Sequence, residues 1–462
     1  MEYISTRNTK KNFSFKDVFL KGLAPGGGLF VPKKIPSFTI QEIEKLEKLS
    51  YNELAVEIIS KFCIDEFTKD EIKDLVIKSY ENFRVKDVVK IKKIEQISLL
   101  ELFHGPTLAF KDIAMQVIGN MYEKILEKNN LKVNIVVATS GDTGAAAIDA
   151  IKDRKNMNIF VLHPDNKISE VQRKFMTTVS SKNIFNIALV GNFDECQKLV
   201  KAMFSDKKFS NSINMSGVNS INWSRIVMQI VYYFFSYFKV ANKGEKINFS
   251  VPTGNFGDAY SGYIAKRMGL PINKLIIATN QNDILKRVIN TGLYQPKQVE
   301  HTVSPSMDIQ VASNFERLLF NIYSNNSDKT LKLMNDLNTK GKFEIEKKEL
   351  MEIKESFCSE SLSDEETRLI INKIYKAQNI FVDPHTAIGI GVAEKVSLKE
   401  KTIILATAHP SKFSDVVMKE TKVKPELPKN LENILNKEER YEKLSKDIKN
   451  VKEYILKKIQ VT

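Results

Sequence analysis

Cysteine is scarce in this chain. The three residues, Cys63, Cys196 and Cys358, lie far apart with no CxxC spacing. An odd, scattered set argues against a disulfide framework or a zinc cluster and fits a reducing compartment. Histidine is nearly as sparse, five in all, with no HExxH or other paired spacing, so no metal site is expected. No run reaches the roughly 18 apolar residues of a membrane span. The greasiest segment, Ile226 to Phe238, is interrupted by Gln229 and Ser236 and is predicted to be a buried helix. The opening MEYISTRNTK lacks the apolar core of an export signal, so a cytoplasmic location is expected. Internal repeats and low-complexity stretches are absent as well.

What is plentiful is lysine. Lysine and arginine (70) outnumber aspartate and glutamate (56), for a formal net charge of +14. A nucleic-acid binder would cluster this excess among aromatics. Here the lysines are spread out and mixed with glutamate, as in KKELMEIKE and NKEERYEKLSKD, which read as solvated helix faces. No nucleic-acid partner is expected, although the field would draw anionic substrates.

A chain of 462 residues exceeds one simple core and implies two or three lobes. Residues 1–90 are predicted to be mainly helical, with apolar residues at helical spacing over Ile40–Leu49, Tyr51–Phe62 and Thr68–Ser79 and one short strand at Leu29–Val31. From about residue 90 the texture changes. β-Branched runs at Val133–Ala138, Asn158–Leu162, Asn186–Leu189, Ile247–Val251, Lys274–Ala278 and Thr402–Ala406 alternate with helical patterns. Strand, small-residue turn, helix is the pattern of a parallel α/β protein, whose ligands sit at the carboxyl ends of strands. Residues 91–420 are read as this catalytic region, with a smaller lobe over roughly 113–215, a larger lobe in the remainder and a helical insertion at about 325–367. Residues 421–462 read as a charged helical tail weakly tied to any core.

Four segments could carry chemistry. In HGPTLAFKD, from His104 to Asp112, Lys111 is flanked by Ala109, Phe110 and Ile113. Desolvation lowers an amine's pKa and frees it as nucleophile or base, although a lone lysine is more often a snorkelling surface residue. In VVATSGDTGAAA, a strand runs into Ser140, Gly141, Asp142, Thr143 and Gly144 and then an alanine-rich helix. A plain helix cap needs only one polar residue, whereas two glycines and three polar side chains suit an anion held at a helix start. In FSVPTGNFGD, Gly254, Asn255, Phe256, Gly257 and Asp258 form a second such turn. It is neither a Walker loop nor a dinucleotide fingerprint, so a phosphate on a cofactor other than a nucleotide fits better. In IILATAHPSKF, a late strand delivers Thr407 to its carboxyl end, a weak signal by itself.

Taken in order, these segments resemble the threonine synthase family, in the branch with the longer N-terminal domain. The stretches GGGLFVP at Gly26–Pro32, NSINWSRI at Asn219–Ile226, SMDI at Ser306–Ile309, SNFER at Ser313–Arg317 and DPHT at Asp383–Thr386 extend the resemblance along nearly the whole chain. It implies an α/β, two-lobed fold-type II enzyme, similar to the tryptophan synthase β class, with parallel or mixed sheets and pyridoxal 5'-phosphate (PLP) as cofactor. It implies that Lys111 is the Schiff-base lysine and that Gly254 to Asp258 hold the cofactor phosphate. Thr407 would face the pyridine nitrogen, and Ser140 to Gly144 would meet the substrate α-carboxylate. Many fold-type II enzymes carry Asn where Asp142 stands, a difference that reads as a branch marker. Asn219, Ser220, Asn222 and Arg225 are expected at the phosphate end of the substrate, with a buried helix start around Trp223 as the alternative. The implied reaction turns O-phospho-L-homoserine and water into L-threonine and phosphate, in a monomer or a dimer. A related phospholyase would instead release 2-oxobutyrate.

Overall fold

The computed structural model describes residues 1–94, 97–165 and 168–460, so the last two residues of the expected tail lie outside the described residues. Two sheets organise the chain. The larger has six strands in the order Phe357–Ser361, Ile272–Thr279, Ile247–Pro252, Thr402–Ala406, Ile97–Glu101, Lys90–Ile94. The first five are parallel and the last is antiparallel. The smaller sheet is wholly parallel, in the order Glu442–Leu444, Ile184–Leu189, Met157–Pro164, Val133–Ala138, Met215–Ser216. Parallel strands need helical crossovers that cover both faces. Ile247–Pro252 is accordingly buried at every position, which fits its mainly apolar run.

The six expected strands all form, two of them with the expected ends: Val133–Ala138 and Thr402–Ala406. The N-terminal helices begin where hydroxyl residues precede a glutamate by three positions. Thr39 with Glu42, Ser50 with Glu53 and Thr68 with Glu71 each close a reciprocal capping box. The apolar segment around Ile226–Phe238 becomes the helix Trp223–Val240, buried from Trp223 to Tyr237. It packs on the N-terminal helix Tyr51–Cys63 and on the helices Lys111–Asn129 and Gly257–Arg267. The Trp223 ring meets Tyr3, Phe62 and Tyr260, so this one helix joins the N-terminal region to the catalytic core.

Three expectations need correction. The N-terminal region, though mainly helical, also contains a three-stranded antiparallel sheet of Asn8–Phe13, Tyr3–Ser5 and Phe30–Pro32. Asn8–Phe13 is largely exposed and polar, so no alternation marked it. The segment 325–367, expected to be a helical insertion, carries the helices Ser327–Lys340 and Lys347–Ser356. It also supplies the edge strand Phe357–Ser361 of the larger sheet. The tail is not loosely attached. Glu442–Leu444 adds a strand beside Ile184–Leu189, and the helix Ile448–Ile459 buries Val451 and Ile455 against Val136, Phe160, Ile187 and Met203. Among the described residues, no helix is long and apolar enough to cross a membrane.

Docking of the tail gives a direct stability expectation. Ile455→Ala should cost about 2–4 kcal/mol, as for other fully buried isoleucines, read as a fall in the urea midpoint. A loosely attached tail would shift it by less than about 0.5 kcal/mol.

Candidate active site

The carboxyl ends of both sheets face one cavity of about 570 Å³. Its wall includes Lys111, Ser140, Asp142, Thr143, Asn219, Ser220, Arg225, Gly254, Asn255, Gly257, Asp258, Thr407 and His385. These six segments, distant in sequence, thus converge as expected for strand-end turns in α/β folds.

Lys111 opens the helix Lys111–Asn129, and the residues before it are tied to the end of the late strand. The Phe110 amide donates to the Thr407 carbonyl at 2.8 Å, and the His409 amide donates to the Leu108 carbonyl at 3.0 Å. This bridge places the lysine and Thr407 side by side. The Lys111 Nζ lies 4.7 Å from the centre of the Phe110 ring and 3.5 Å from Asp142 Oδ2. Burial lowers the amine's pKa; Asp142 opposes the shift, and the nearby charges of Arg225 and Lys412 add to it.

Asp142 begins the helix Asp142–Ile151. Burial alone would raise its carboxyl, but Lys412, then Lys111 and the Gln172 amide, outweigh burial and hold it well below the usual carboxylate range. The Lys412 ammonium donates to Asp142 Oδ1 at 2.7 Å, and Gln172 Nε2 donates to the same oxygen at 2.9 Å. Gly141 has φ +133°, and a Cβ there would meet the Gln172 side chain at 2.8 Å, so glycine is needed for both backbone and space. The turn is tightened by Thr139, whose Oγ1 accepts from the amides of Gly141 and Gly144. Gly144 packs on Thr139 and Met176, and neither it nor Gly141 lines the cavity.

The second turn offers a phosphate-sized cradle. The helix Gly257–Arg267 starts there, and its first-turn amides have no intrahelical acceptor. A Cβ on Gly254 would meet Ile309 Cδ1 at 2.9 Å and the Met307 Cα at 3.1 Å, so only glycine lets the backbone reach the cavity. Two expected residues contribute differently than foreseen. Phe256 does not line the cavity; its ring is buried against Phe315 and Phe357, and its backbone holds a left-handed φ of 65°. Its amide donates to Thr253 Oγ1, which fixes the turn. The Asp258 carboxyl accepts from the Tyr232 and Tyr233 hydroxyls, and burial raises its pKa to about 6. Anion binding at this turn therefore falls to backbone N–H groups.

Arg225 is 3% exposed, and among the described residues its guanidinium makes one hydrogen bond, a long one of 3.5 Å to the Val218 carbonyl. Burial lowers its pKa to about 10. Among the described residues no carboxylate pairs with it, so a buried guanidinium faces the cavity awaiting an anion. Asn222 corrects an expectation. Its Nδ2 donates to the Phe19 carbonyl and its Oδ1 caps the helix at Ser224, so the side chain is committed away from the cavity. Trp223 lies in the core, while Asn219, Ser220 and Arg225 of the same segment line the cavity.

Several contributors were not assigned from the sequence. Lys201 and Lys297 add basic groups to the wall. Asn314 donates to the carbonyls of Ser220 and Asn255, and Arg317 donates to those of Ile221 and Phe30, so the SNFER stretch clamps two site turns together. His385 accepts no donor at its buried Nε2, while its Nδ1 lies 2.7 Å from Asp383 Oδ2. A lysine, an amide cradle, a strand-end threonine and an unsatisfied buried imidazole nitrogen on one wall fit PLP: respectively its aldehyde, its phosphate and the polar groups of its ring.

Comparison with known proteins agrees with this geometry. A family model described as threonine synthase N terminus matches residues 2–80. One described as pyridoxal-phosphate dependent enzyme matches 89–408, and one described as threonine synthase, C-terminal, matches 386–455. The chain is 42% identical over 459 residues to the threonine synthase of Pseudomonas aeruginosa, covering 98% of each chain. It is 42% identical over 452 residues to that of Saccharomyces cerevisiae, covering 90% of this chain and 88% of the relative. The crystal structure of PLP-bound threonine synthase from Brucella melitensis superposes with a TM-score of 0.96 at 43% identity, covering 99% of each chain.

The lowered Lys111 pKa has a checkable sign. In cofactor-free protein, Lys111 should react with a small acylating reagent at a lower pH than the exposed lysines do as a group, as mass spectrometry across a pH series would read. Equal or later modification would contradict a desolvated amine.

Proposed function

The chain belongs to the threonine synthase family of pyridoxal-phosphate-dependent enzymes, and on that premise we propose which of its residues carry the reaction. The enzyme makes L-threonine and phosphate from O-phospho-L-homoserine and water. In net terms the Cγ–O bond to phosphate breaks, one proton leaves Cβ and one is gained at Cγ, the hydroxyl of water arrives at Cβ and its other proton leaves with the phosphate; the Cα proton is removed and later returned.

Bound in the cavity, PLP supplies an electron sink for the carbanionic character that develops on the substrate carbons. Lys111 would hold it, with the amides of Gly254, Asn255 and Asp258 around its phosphate, the Gly257 amide donating to Asn255 Oδ1, and Thr407 at its ring nitrogen. A threonine hydroxyl can hydrogen bond there without demanding a ring proton, which restrains side reactions. As a free amine Lys111 would be the base for the Cα proton, since burial favours its neutral form. Ser140, Thr143 and the amides at the start of the helix Asp142–Ile151 receive the α-carboxylate. Arg225, with Asn219, Ser220 and Lys297, receives the substrate phosphate. The observation that carries this assignment is the convergence of one desolvated amine and an unpaired guanidinium on a single cavity.

The division of the chain is part of the same reading. Residues 1–90 form an N-terminal unit, supported by a separate family match, and 91–420 form the catalytic region. The tail completes the smaller lobe instead of standing alone. We also propose a cytoplasmic monomer or dimer without a nucleic-acid partner, the location supported by three free, scattered cysteines and the lack of a nucleic-acid partner by the dispersed lysines.

The test is an assay of the purified protein with O-phospho-L-homoserine, measuring phosphate, threonine and 2-oxobutyrate together. Threonine and phosphate in equal amounts are expected, whereas 2-oxobutyrate as main product would support the phospholyase. Arg225→Met should raise KM for the phosphorylated substrate about 10- to 150-fold, the worth of charged hydrogen bonds. Thr407→Asp should shift the cofactor's absorbance and raise side products; an unchanged spectrum and product ratio would contradict its place at the ring nitrogen.

A further inference from the structure

A carboxylate is an awkward residue in a loop that must receive a carboxylate. Asp142 is buried, and its side chain reaches the cavity wall beside the helix amides assigned to the substrate. Alone and ionised, it would repel the incoming α-carboxylate in a medium that screens charge poorly. The structure shows what resolves this conflict. Lys412 follows the strand Thr402–Ala406 in a short turn, Pro410–Phe413. Its side chain is wholly buried, and it is not part of the cavity wall. Its Nζ donates to Asp142 Oδ1 at 2.7 Å and to the Thr107 carbonyl at 2.7 Å, with the Phe175 ring 5.4 Å away. Its carbonyl accepts from Ser169 Oγ at 3.2 Å, which ties the turn to the smaller lobe a second time.

We propose that Lys412 is a positioning residue that neutralises Asp142 from behind, so that an aspartate can stand in the carboxylate-receiving loop without repelling substrate. Lys412 and Gln172 occupy Oδ1. Oδ2 is left toward Lys111 Nζ at 3.5 Å. The Asp142–Lys412 pair is therefore neutral as a unit and presents one oxygen to the site. That oxygen is placed to accept a hydrogen bond from the Lys111 amine when the lysine is released for proton transfer. Lys412 does not line the cavity, so its effect on substrate passes through Asp142, and its bond to the Thr107 carbonyl holds the ammonium in place beneath that carboxylate. This inference rests on the carboxylate-binding role proposed above for the loop.

A double-mutant cycle tests it in the holoenzyme. The variants are K412M, D142N and D142N/K412M. The readouts are kcat and KM for O-phospho-L-homoserine and, independently of turnover, the dissociation constant of L-threonine from titration of the cofactor's visible absorbance. K412M should weaken L-threonine binding and raise KM on the order of 30-fold or more, the cost of leaving a buried charge unpaired. In the D142N background, where no charge needs cancelling, the same substitution should change either constant by less than about threefold. An equal effect in both backgrounds, or no effect in the parent, would overturn the assignment. If K412M does not fold, D142N/K412M carries neither charge and is compared with D142N alone, and a loss above about threefold overturns the proposal. Parent enzyme that makes no threonine would instead overturn the functional reading, which separates the two failures.

Discussion

The Phe110 amide and the Thr407 carbonyl meet at 2.8 Å, and His409 returns the contact to Leu108. Between them, Ala109 and Ala408 pair as an isolated antiparallel bridge. Every feature of the site is referred to this bridge. It sets the amine of Lys111 beside the strand end that presents Thr407, although the two residues are distant in sequence. From there the first helical turn points Lys111 toward Asp142, and the following turn carries Lys412 beneath the same carboxylate. A shift of one residue at the bridge would invert which side chains face the cavity.

Electrostatics then give the cavity its character. Arg225 and Lys412 are buried, and Lys111 largely so, around Asp142, while the Asp258 carboxyl is bonded to Tyr232 and Tyr233 and has a raised pKa. Buried charge without a partner is costly, so the excess positive charge is tolerable where anions are to be bound. A substrate that brings both a carboxylate and a phosphate supplies that compensation. The arrangement also explains the lowered amine of Lys111, since neighbouring cations and burial both favour its neutral form. The aromatic belt around Trp223 and the clamp by Asn314 and Arg317 hold these groups still.

Much of this was legible in the sequence for a physical reason. Buried parallel strands are mostly apolar and run into small-residue turns, so Val133–Ala138, Ile247–Pro252 and Thr402–Ala406 announce both themselves and the turns that follow. The residues with no local signature were the ones missed. Lys412 looks like any lysine in a one-dimensional reading, and its burial is set by Asp142 and Thr107 from other parts of the chain. Asn222 looks like a ligand in its segment but is used as a helix cap. Phe357–Ser361, FCSES, is an edge strand whose polar residues masked it inside a helical stretch. The tail strand Glu442–Leu444 is three charged or partly exposed residues that gain order from pairing with Ile184–Leu189.

The account stands on the identity of the amine that holds the cofactor. Borohydride reduction of the holoenzyme, proteolysis and mass mapping would locate the pyridoxyl group directly. The account expects it on Lys111, with Lys111→Ala losing the cofactor's visible band. A pyridoxyl group on Lys412, Lys297 or any other lysine would contradict it.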